Sequence, residues 1–297
     1  MRTFTHKYFF LIVSVFGLTF SFNACSTKSV NTNIQEKYPI IPTPQELSYG
    51  ETELLFEAVS ISGAFQSEIS KLKNFFKNKG IKDSENGIKN EFVQENISDD
   101  TNEEAYKLSV DEHMTISAST EKGAYYAIQT IKQIFRQKDK KGILPKLKIS
   151  DWPAFKIRGF MHDTGRNFQS VAQLKEQIDV LAQYKYNIFH WHLTDNPGWR
   201  LESKKYPELQ SPDATTRAKG KYYSHEDFKE ILAYCKERHI TVIPELDIPG
   251  HTEAFRKAFK IKNMRHKKVL PILLDLFDEL CALSSTEEMP YIHIGTD

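Results

Sequence analysis

The apolar positions in the middle of the chain change from a period of two to a helical period. Residues 106–110 and 114–118 alternate between apolar and polar side chains, which predicts two strands joined by a short turn. Residues 120–135 place apolar side chains on one face of a helix. The polar stretch 85–104 predicts mainly loops. Two strands and a helix so close together predict a small α+β domain over residues 38–150.

Beyond Trp152, strand-like and helical stretches alternate along the chain. The predicted strands are residues 156–162, 187–193, 240–246 and 291–294, and the predicted helices begin at Ser170, Ser224 and Leu270. This alternation indicates parallel strands with right-handed crossovers. The fold class is therefore α/β, with the first half of a (β/α)₈ TIM barrel over residues 151–297, because a complete barrel needs about 250 residues. An open doubly wound sheet is the alternative, but no glycine-rich phosphate loop follows a predicted strand.

The N-terminus has the pattern of an export signal. Arg2, His6 and Lys7 precede an apolar stretch over residues 9–22, which is shorter than the roughly 20 residues of a membrane span. Ala24-Cys25 resembles a bacterial lipoprotein processing site, so residues 1–25 are predicted to be a lipoprotein-like signal peptide with lipidation at Cys25. Ordinary signal cleavage is the alternative. The polar residues 26–37 predict a tether, and the protein is expected in the periplasm or at the cell surface.

Composition and charge narrow the choice of partners. The chain has 297 residues, 40 Lys and Arg, and 39 Asp and Glu, for a net charge of +1. Because basic and acidic residues are nearly equal in number, the protein has no overall positive field that would attract nucleic acid. No nucleic-acid partner is therefore expected. Cys235 and Cys281 both lie in helical patterns and are predicted to be buried free thiols rather than a disulfide framework.

Four polar clusters follow the four predicted strands of the second half. They begin at His162, Thr194, Glu245 and Gly295, and in a barrel such strand ends converge on one pocket. The charged side chains that they bring are Arg166, Asp195, Glu245, Asp247, His251 and Asp297. Paired carboxylates are the groups used in glycoside hydrolysis, and an arginine fork suits sugar hydroxyls.

Several of these residues have simpler explanations. Asp163 and Asp247 can cap strands or helices, and Arg166 can be a surface ion-pair residue. His190 and His192 lie two apart on one strand and so point to the same face. Packing or hydrogen bonding is the favoured interpretation of this pair, and a metal site of the amidohydrolase type is the alternative.

Longer motifs around these clusters resemble glycoside hydrolase family 20, the β-N-acetylhexosaminidases. The matching segments are RGFMHDTGRNF (158–168), YKYNIFHWHLTDNPGWR (184–200), PELDIPGHTEAF (244–255) and HIGTD (293–297). Residues 38–152 also resemble the family's non-catalytic α+β domain. The resemblance implies an exported glycosidase that removes terminal N-acetylglucosamine or N-acetylgalactosamine from glycans, with no metal and no cofactor.

The resemblance also implies roles for individual residues. Arg166 would bind hydroxyls of the terminal sugar, and Glu245 is assigned to substrate binding. Asp195 and His251 would form a hydrogen-bonded pair that tunes the catalytic acid. Asp297 would orient the 2-acetamido group of the substrate, whose oxygen attacks the anomeric carbon in place of a protein carboxylate.

The resemblance places the general acid, a glutamate, directly after Asp297, where the sequence ends. The chain is therefore expected to be truncated relative to the family, and to be poorly stable and inactive alone. Two other hypotheses stay open at this point. One is a non-catalytic glycan-binding surface protein, and the other is a metal-dependent barrel hydrolase that uses His190 and His192.

Overall fold

The computed structural model describes residues 32–97 and 102–297. The predicted signal peptide, its Cys25 and residues 26–31 of the predicted tether lie outside the described residues. Residues at the end of that tether form helix α1 (Thr32–Lys37) instead of an extended linker. Ile34 explains the difference, because its side chain is buried in the hydrophobic core.

The first part of the fold is a mixed eight-stranded sheet. Its strands are β1 (Glu46–Phe56), β2 (Ala58–Gly63), β3 (Lys82–Asp83), β4 (Ile88–Gln94), β5 (Tyr106–Val110), β6 (Met114–Ala118), β7 (Arg136–Lys138) and β8 (Lys141–Asp151). The order is β1-β8-β5-β6-β4-β2-β3, and β7 pairs with β8. The hairpin of β5 and β6 confirms the two strands that alternation predicted.

Strand β4 contradicts the prediction of loops over residues 85–104. It pairs with β2 and β6 in the interior of the sheet. Only Asn90 and Phe92 of this strand are buried. The alternation of buried and exposed positions is therefore marked in the sequence by one large apolar side chain, that of Phe92. Hydrophobic periodicity is too weak a signal for such a strand.

Two helices, α2 (Gln66–Asn78) and α3 (Glu121–Ile134), pack on this sheet. Helix α3 confirms the predicted helix, and the Thr120 side chain accepts a hydrogen bond from the Gly123 amide at its start. Ten of its fourteen residues are buried. Burial on more than one face follows because α3 also contacts helix α4 (Val171–Gln183) of the second part.

The second part is a partial barrel. Four parallel strands, β9 (Gly159–Asp163), β10 (Ile188–His192), β13 (Thr241–Ile248) and β14 (His293–Gly295), are arranged in the order β9-β10-β13-β14. Helix α4, helix α5 (His225–Lys236), helix α6 (Glu253–Phe259) and helix α7 (Val269–Cys281) follow the first three strands. This arrangement confirms the predicted α/β fold, with the first half of a TIM barrel preceded by an α+β domain.

Local signals in the sequence explain where the barrel helices begin. Ser170 and Gln173 form the predicted capping box at the start of α4, with side chain and backbone bonded in both directions. Ser224 and Asp227 do the same for α5. Cys235 on α5 is buried as predicted, and burial raises the pKa of its thiol to about 12. Cys281 ends α7 and is exposed, so the prediction that it is buried was wrong.

Strand β10 is followed by an excursion before α5. It contains the short strands β11 (Thr194–Asp195) and β12 (Gly198–Trp199) and a 3₁₀ helix over Pro207–Gln210. No helix in the described part of the chain is long and apolar enough to cross a bilayer.

Buried ion pairs connect the two parts. Lys185, which follows α4, donates hydrogen bonds to Asp151 at 2.7 Å and to the Tyr106 hydroxyl at 2.8 Å. Arg158 donates to Glu104 at 2.5 Å. All three bonds join a residue of the α+β part to one of the partial barrel. Since a buried charge without its partner is strongly unfavourable, these pairs fix how the two parts pack.

Candidate active site

The structure brings the four polar clusters together at the carboxyl ends of the parallel strands. Asp163 ends β9, His192 ends β10, Glu245 lies within β13, and Asp297 follows β14. The pairing register places His192 beside Glu245 and Glu245 beside His293 on the next strand. Neighbouring positions in a sheet project their side chains to the same face, so these residues share one surface.

Asp195 lies at the centre of this surface, and it is 2% exposed. Its Oδ2 atom is 2.9 Å from the Arg166 guanidinium, 3.3 Å from Nε2 of His192 and 3.4 Å from Nδ1 of His251. Its Oδ1 atom accepts a hydrogen bond from the Asn196 amide. A buried carboxylate is stable only when it is paired and hydrogen-bonded, and these contacts meet that need.

Arg166 is held between two carboxylates. One guanidinium nitrogen is 2.8 Å from Asp163, and another is 2.9 Å from Asp195. Asp163 also accepts the Arg166 backbone amide at 2.9 Å, so this residue both caps the turn and orients the arginine. The Arg166 side chain is still 45% exposed, which leaves donors free to meet a ligand.

His251 connects Asp195 to Asp297. Its Nε2 atom is 2.9 Å from Oδ2 of Asp297, and its other ring nitrogen faces Asp195. The backbone of His251 is left-handed, with φ of 48°, a conformation that costs energy for a residue with a Cβ. The structure thus brings together Arg166, Asp195, His251 and Asp297, and their catalytic roles stay predictions.

Glu245 is 4% exposed and lies among three histidines. Its Oε2 atom is 2.6 Å from Nδ1 of His192 and 2.8 Å from Nε2 of His190, and its Oε1 atom is 2.9 Å from Nδ1 of His293. Both oxygens therefore have partners within the protein. The role of Glu245 in substrate binding stays a prediction.

The protonation of this cluster follows from burial and charge. Burial lowers the pKa of His192, but its hydrogen bond to Glu245 and the charge of that group outweigh this, and the pKa is raised overall. Burial raises the pKa of Glu245, but the hydrogen bond from His192 outweighs it and the pKa is lowered. Burial lowers the pKa of His190, and the attraction of Glu245 does not compensate. The cluster therefore favours a charged His192 facing a charged Glu245.

Asp247 and Asp297 are two carboxylates that lie close together in the site. Asp247 is 3% exposed, its amide donates to the Thr194 hydroxyl at 2.8 Å, and its Oδ1 atom has no hydrogen-bond partner among the described residues. Burial and the nearby charge of Asp297 raise the pKa of Asp247. Gly295 makes this packing possible, because a Cβ at that position would lie 1.7 Å from Asp247 Oδ1.

His190 and His192 do not share a cation site in the described structure. Three-residue sets whose ligand atoms lie within 4.8 Å of one another are His190-Glu245-His293, Asp163-His192-Asp195, His192-Glu245-Asp247 and Asp247-His251-Asp297. None of these sets includes both histidines. The bond from His192 to Glu245 fits the hydrogen-bonding interpretation for that residue, whereas Nε2 of His190 lies 2.8 Å from Glu245 without the geometry of a hydrogen bond.

Arg200 is a structural part of the site that the sequence did not single out. It is fully buried and donates to the carbonyl groups of Thr164, Gly165, Arg217, Ala218 and Lys221. The first two belong to the loop that carries Arg166, and the others belong to the excursion before α5. Arg200 thereby joins the two loops. His293 was likewise overlooked, although its position two residues before Gly295 places it on the surface shared with Glu245.

Comparisons with known proteins agree with this geometry. The family model "Glycosyl hydrolase family 20, catalytic domain" matches residues 155–269, and "Glycosyl hydrolase family 20, domain 2" matches residues 37–152. The chain belongs to glycoside hydrolase family 20. The family 20 resemblance of the sequence motifs is therefore confirmed.

Individual relatives show how much of the family protein is present. A β-hexosaminidase of Porphyromonas gingivalis is 32% identical over 266 residues, which are 80% of this chain and 34% of that protein. A β-hexosaminidase of Vibrio furnissii is 42% identical over 171 residues, which are 52% of this chain and 28% of that protein. The chain thus spans about a third of the length of these two relatives.

Solved structures of family 20 proteins resemble the fold. The exo-β-N-acetylglucosaminidase of Vibrio harveyi, in complex with N-acetylglucosamine, has a TM-score of 0.77 at 28% identity and matches 88% of this chain and 47% of that one. The β-N-acetylhexosaminidase of Bacteroides fragilis has a TM-score of 0.73 at 30% identity and matches 87% of this chain and 56% of that one.

Proposed function

We propose that the protein acts as a β-N-acetylhexosaminidase, which removes a terminal N-acetylglucosamine or N-acetylgalactosamine from a glycan. The observation that carries this proposal is the contact series Arg166–Asp195–His251–Asp297 at the carboxyl end of the barrel strands. Membership of family 20 supports it, as does the N-acetylglucosamine in the related Vibrio harveyi structure.

The proposed mechanism is substrate-assisted. The 2-acetamido oxygen attacks the anomeric carbon as the glycosidic bond breaks, and the sugar becomes a positively charged oxazolinium. The Asp297 carboxylate accepts the acetamido N–H, which orients the nucleophilic oxygen, and its charge stabilises the cation. His251 holds Asp297 through its Nε2 atom. A proton donor for the leaving oxygen lies outside the residues that we assign.

Arg166 and Asp195 would set the position of the sugar. Arg166 is fixed by Asp163 and Asp195 but keeps exposed donors for ring hydroxyls. The Asp195 carboxylate lies 2.9 Å from the Arg166 guanidinium and 3.4 Å from Nδ1 of His251, so the sugar-binding fork and the acetamido-orienting carboxylate are joined through one buried group.

The test compares two chromogenic substrates with the protein produced from its natural gene. We expect hydrolysis of p-nitrophenyl N-acetyl-β-glucosaminide and very little of p-nitrophenyl β-glucoside, which has no acetamido group. Asp297→Asn should lower kcat on the first substrate about 10²–10³-fold, because the charge that stabilises the cation is lost. Equal hydrolysis of the two substrates would contradict the assisted mechanism. Binding without hydrolysis would favour the non-catalytic glycan-binding alternative.

We also propose that the protein is exported and anchored by a lipid on Cys25. The basic residues before an apolar stretch over residues 9–22, and the Ala24-Cys25 pair, support this. Radiolabelled palmitate should label the wild-type protein in its native cell but not a Cys25→Ala variant, which should move from the membrane fraction to the soluble fraction. Labelling that survives Cys25→Ala would overturn the assignment.

A further inference from the structure

A cavity of about 650 Å³ lies between helices α2 and α3 of the α+β part and, in the partial barrel, helix α4 and the residues directly after α5. It contains none of the proposed catalytic residues. Its charged lining residues are Lys71, Lys79, Lys132, Asp179, Glu237 and Arg238. The basic residues outnumber the acidic ones, so the lining carries a net positive charge.

Lys132 has an ammonium group without an acidic partner among the described residues. Its only hydrogen bond there is a long one, 3.5 Å, to the side-chain oxygen of Gln129. The side chain is half-buried on α3. Burial lowers the pKa of Lys132, and the positive charge of Arg238 lowers it further. A half-buried cation beside another cation favours the arrival of an anion.

The acidic groups nearest to Lys132 already have cationic partners. Asp179 accepts from the Arg238 guanidinium at 2.7 Å and from the Tyr234 hydroxyl at 2.9 Å. Glu68 is paired with Lys71 at 2.6 Å. Of the four lining cations, Lys79 and Lys132 have no carboxylate of residues 32–97 or 102–297 within 4 Å. Lys79 is exposed, so Lys132 is the half-buried cation of the lining whose charge is not balanced.

Gln129 supplies a second unused donor at the same place. The residue is 1% exposed, it lines the cavity, and its Nε2 atom meets no acceptor in the part of the chain that the structure describes. Buried polar atoms in proteins nearly always have a partner, so an unpaired one in a cavity wall indicates a missing acceptor. The amide oxygen of Gln129 lies 3.5 Å from Lys132 Nζ. Only the amide group of Gln129 therefore separates its Nε2 atom from the Lys132 ammonium.

The aromatic residues of the lining are already covered by neighbours, and Phe135 among them is buried against Phe75 and Phe76. The ring of Tyr125 is covered by the Lys71 ammonium, 5.1 Å from its centroid, and by His239 at 5.0 Å. The Lys79 ammonium lies 6.0 Å from the centroid of Phe75. Since neutral sugars are recognised largely through such faces, the free donors point to an anion and away from a second glycan site.

We propose that this cavity binds a small oxyanion, such as phosphate or the phosphate group of a small molecule, through Lys132 Nζ and Gln129 Nε2. The bound anion would balance the charge of Lys132 and supply the acceptor that Gln129 needs. It would also sit against α4 and the residues directly after α5, and so would link the α+β part to the partial barrel. Binding to the folded state alone would stabilise the protein in proportion to the logarithm of ligand concentration once the site is nearly full.

The test uses inorganic phosphate as the probe, with sodium chloride to hold ionic strength constant. Calorimetric titration and thermal unfolding would be measured for wild type, Lys132→Gln and Gln129→Leu. Lys107→Gln is the matched control, because Lys107 is an exposed residue on β5 and does not line the cavity.

We expect phosphate to bind wild type and Lys107→Gln with one affinity and to raise their Tm. Lys132→Gln should weaken binding about 10-fold or more, as expected for a charge-assisted hydrogen bond, and Gln129→Leu should weaken it by less. Lys132→Gln should fold, because it removes a charge that has no acidic partner. Gln129→Leu removes the other donor and is an independent test of the same site. Binding that is equal in Lys132→Gln and wild type, or that chloride reproduces, would overturn the proposal.

Discussion

His192 donates a hydrogen bond from Nδ1 to Oε2 of Glu245 across 2.6 Å, and both side chains are buried. The register of β10 and β13 places the two residues side by side. On its other side, Nε2 of His192 faces Asp195 at 3.3 Å. An imidazole between two carboxylates can donate to both only when it is protonated. The raised pKa of His192 therefore favours a positive imidazole next to Asp195.

A Glu245→Gln variant tests this charge. The folded-state pKa of His192 is raised, so its stabilising effect is complete below the unfolded pKa and is lost as pH rises through the folded pKa. The folded-state pKa of Glu245 is lowered, so its effect is lost as pH falls through that lower value. We expect Glu245→Gln to lower the His192 pKa, seen by NMR titration of the imidazole, and to destabilise by about 1–3 kcal/mol near pH 6.

Urea unfolding of Glu226→Gln provides the control. This variant changes the net charge in the same way, but Glu226 is an exposed residue on α5. This variant should leave both the His192 titration and the stability near pH 6 unchanged. If His192 titrates equally in Glu245→Gln and wild type, the charged pair does not exist in solution.

Arg200 gives a prediction about the loops that carry the site. The buried guanidinium donates to five carbonyl groups, two of them in the Arg166 loop. Arg200→Met keeps most of the volume but leaves buried carbonyl groups without donors, so we expect a loss of about 3 kcal/mol or more in urea unfolding. Hydrogen exchange at residues 164–167 should become faster.

The matched change, Arg265→Met, removes an arginine from an exposed loop. It should alter the free energy of unfolding by less than about 0.5 kcal/mol. A similar small effect for Arg200→Met would mean that the two loops hold their positions without the guanidinium.

Gly295 is predicted to be intolerant of any side chain. Its φ is +72°, and a Cβ would lie 1.7 Å from Asp247 Oδ1. Gly80 has nearly the same φ, +74°, but a Cβ at that position would meet no atom within 4 Å. Gly80→Ala should therefore lose only about 1–2 kcal/mol from backbone strain, and Gly295→Ala clearly more.

The difference between the two alanine variants isolates the contact with Asp247. Hydrogen exchange along β14 should also accelerate in Gly295→Ala, since the strand must move to relieve the overlap. Equal losses in urea unfolding would show that Asp247 does not pack against Gly295.

The sequence predicted the position of the site better than its internal contacts. Arg166, Asp195, His251 and Asp297 could be identified because each follows a strand, and parallel strands end at a common edge. The partners of Glu245 could not be identified, because they depend on the pairing register of β10, β13 and β14, which hydrophobic periodicity does not determine. Arg200 was overlooked for a related reason: its acceptors are backbone carbonyl groups, which leave no mark in the sequence.

Asp195→Asn tests how the site works as a unit, and it rests on the proposed glycosidase activity. Asp195 is in contact with both Arg166 and His251, and it lies beside His192, whose pKa is raised. An asparagine keeps the shape but removes the charge, and its amide nitrogen cannot accept from these donors. We expect kcat/KM for p-nitrophenyl N-acetyl-β-glucosaminide to fall about 10²–10⁴-fold in the protein from the natural gene. Asp213→Asn, on an exposed turn, should retain wild-type values. A loss confined to KM would mean that Asp195 only helps to hold the sugar through Arg166, with no influence of His251 on the bond-breaking step.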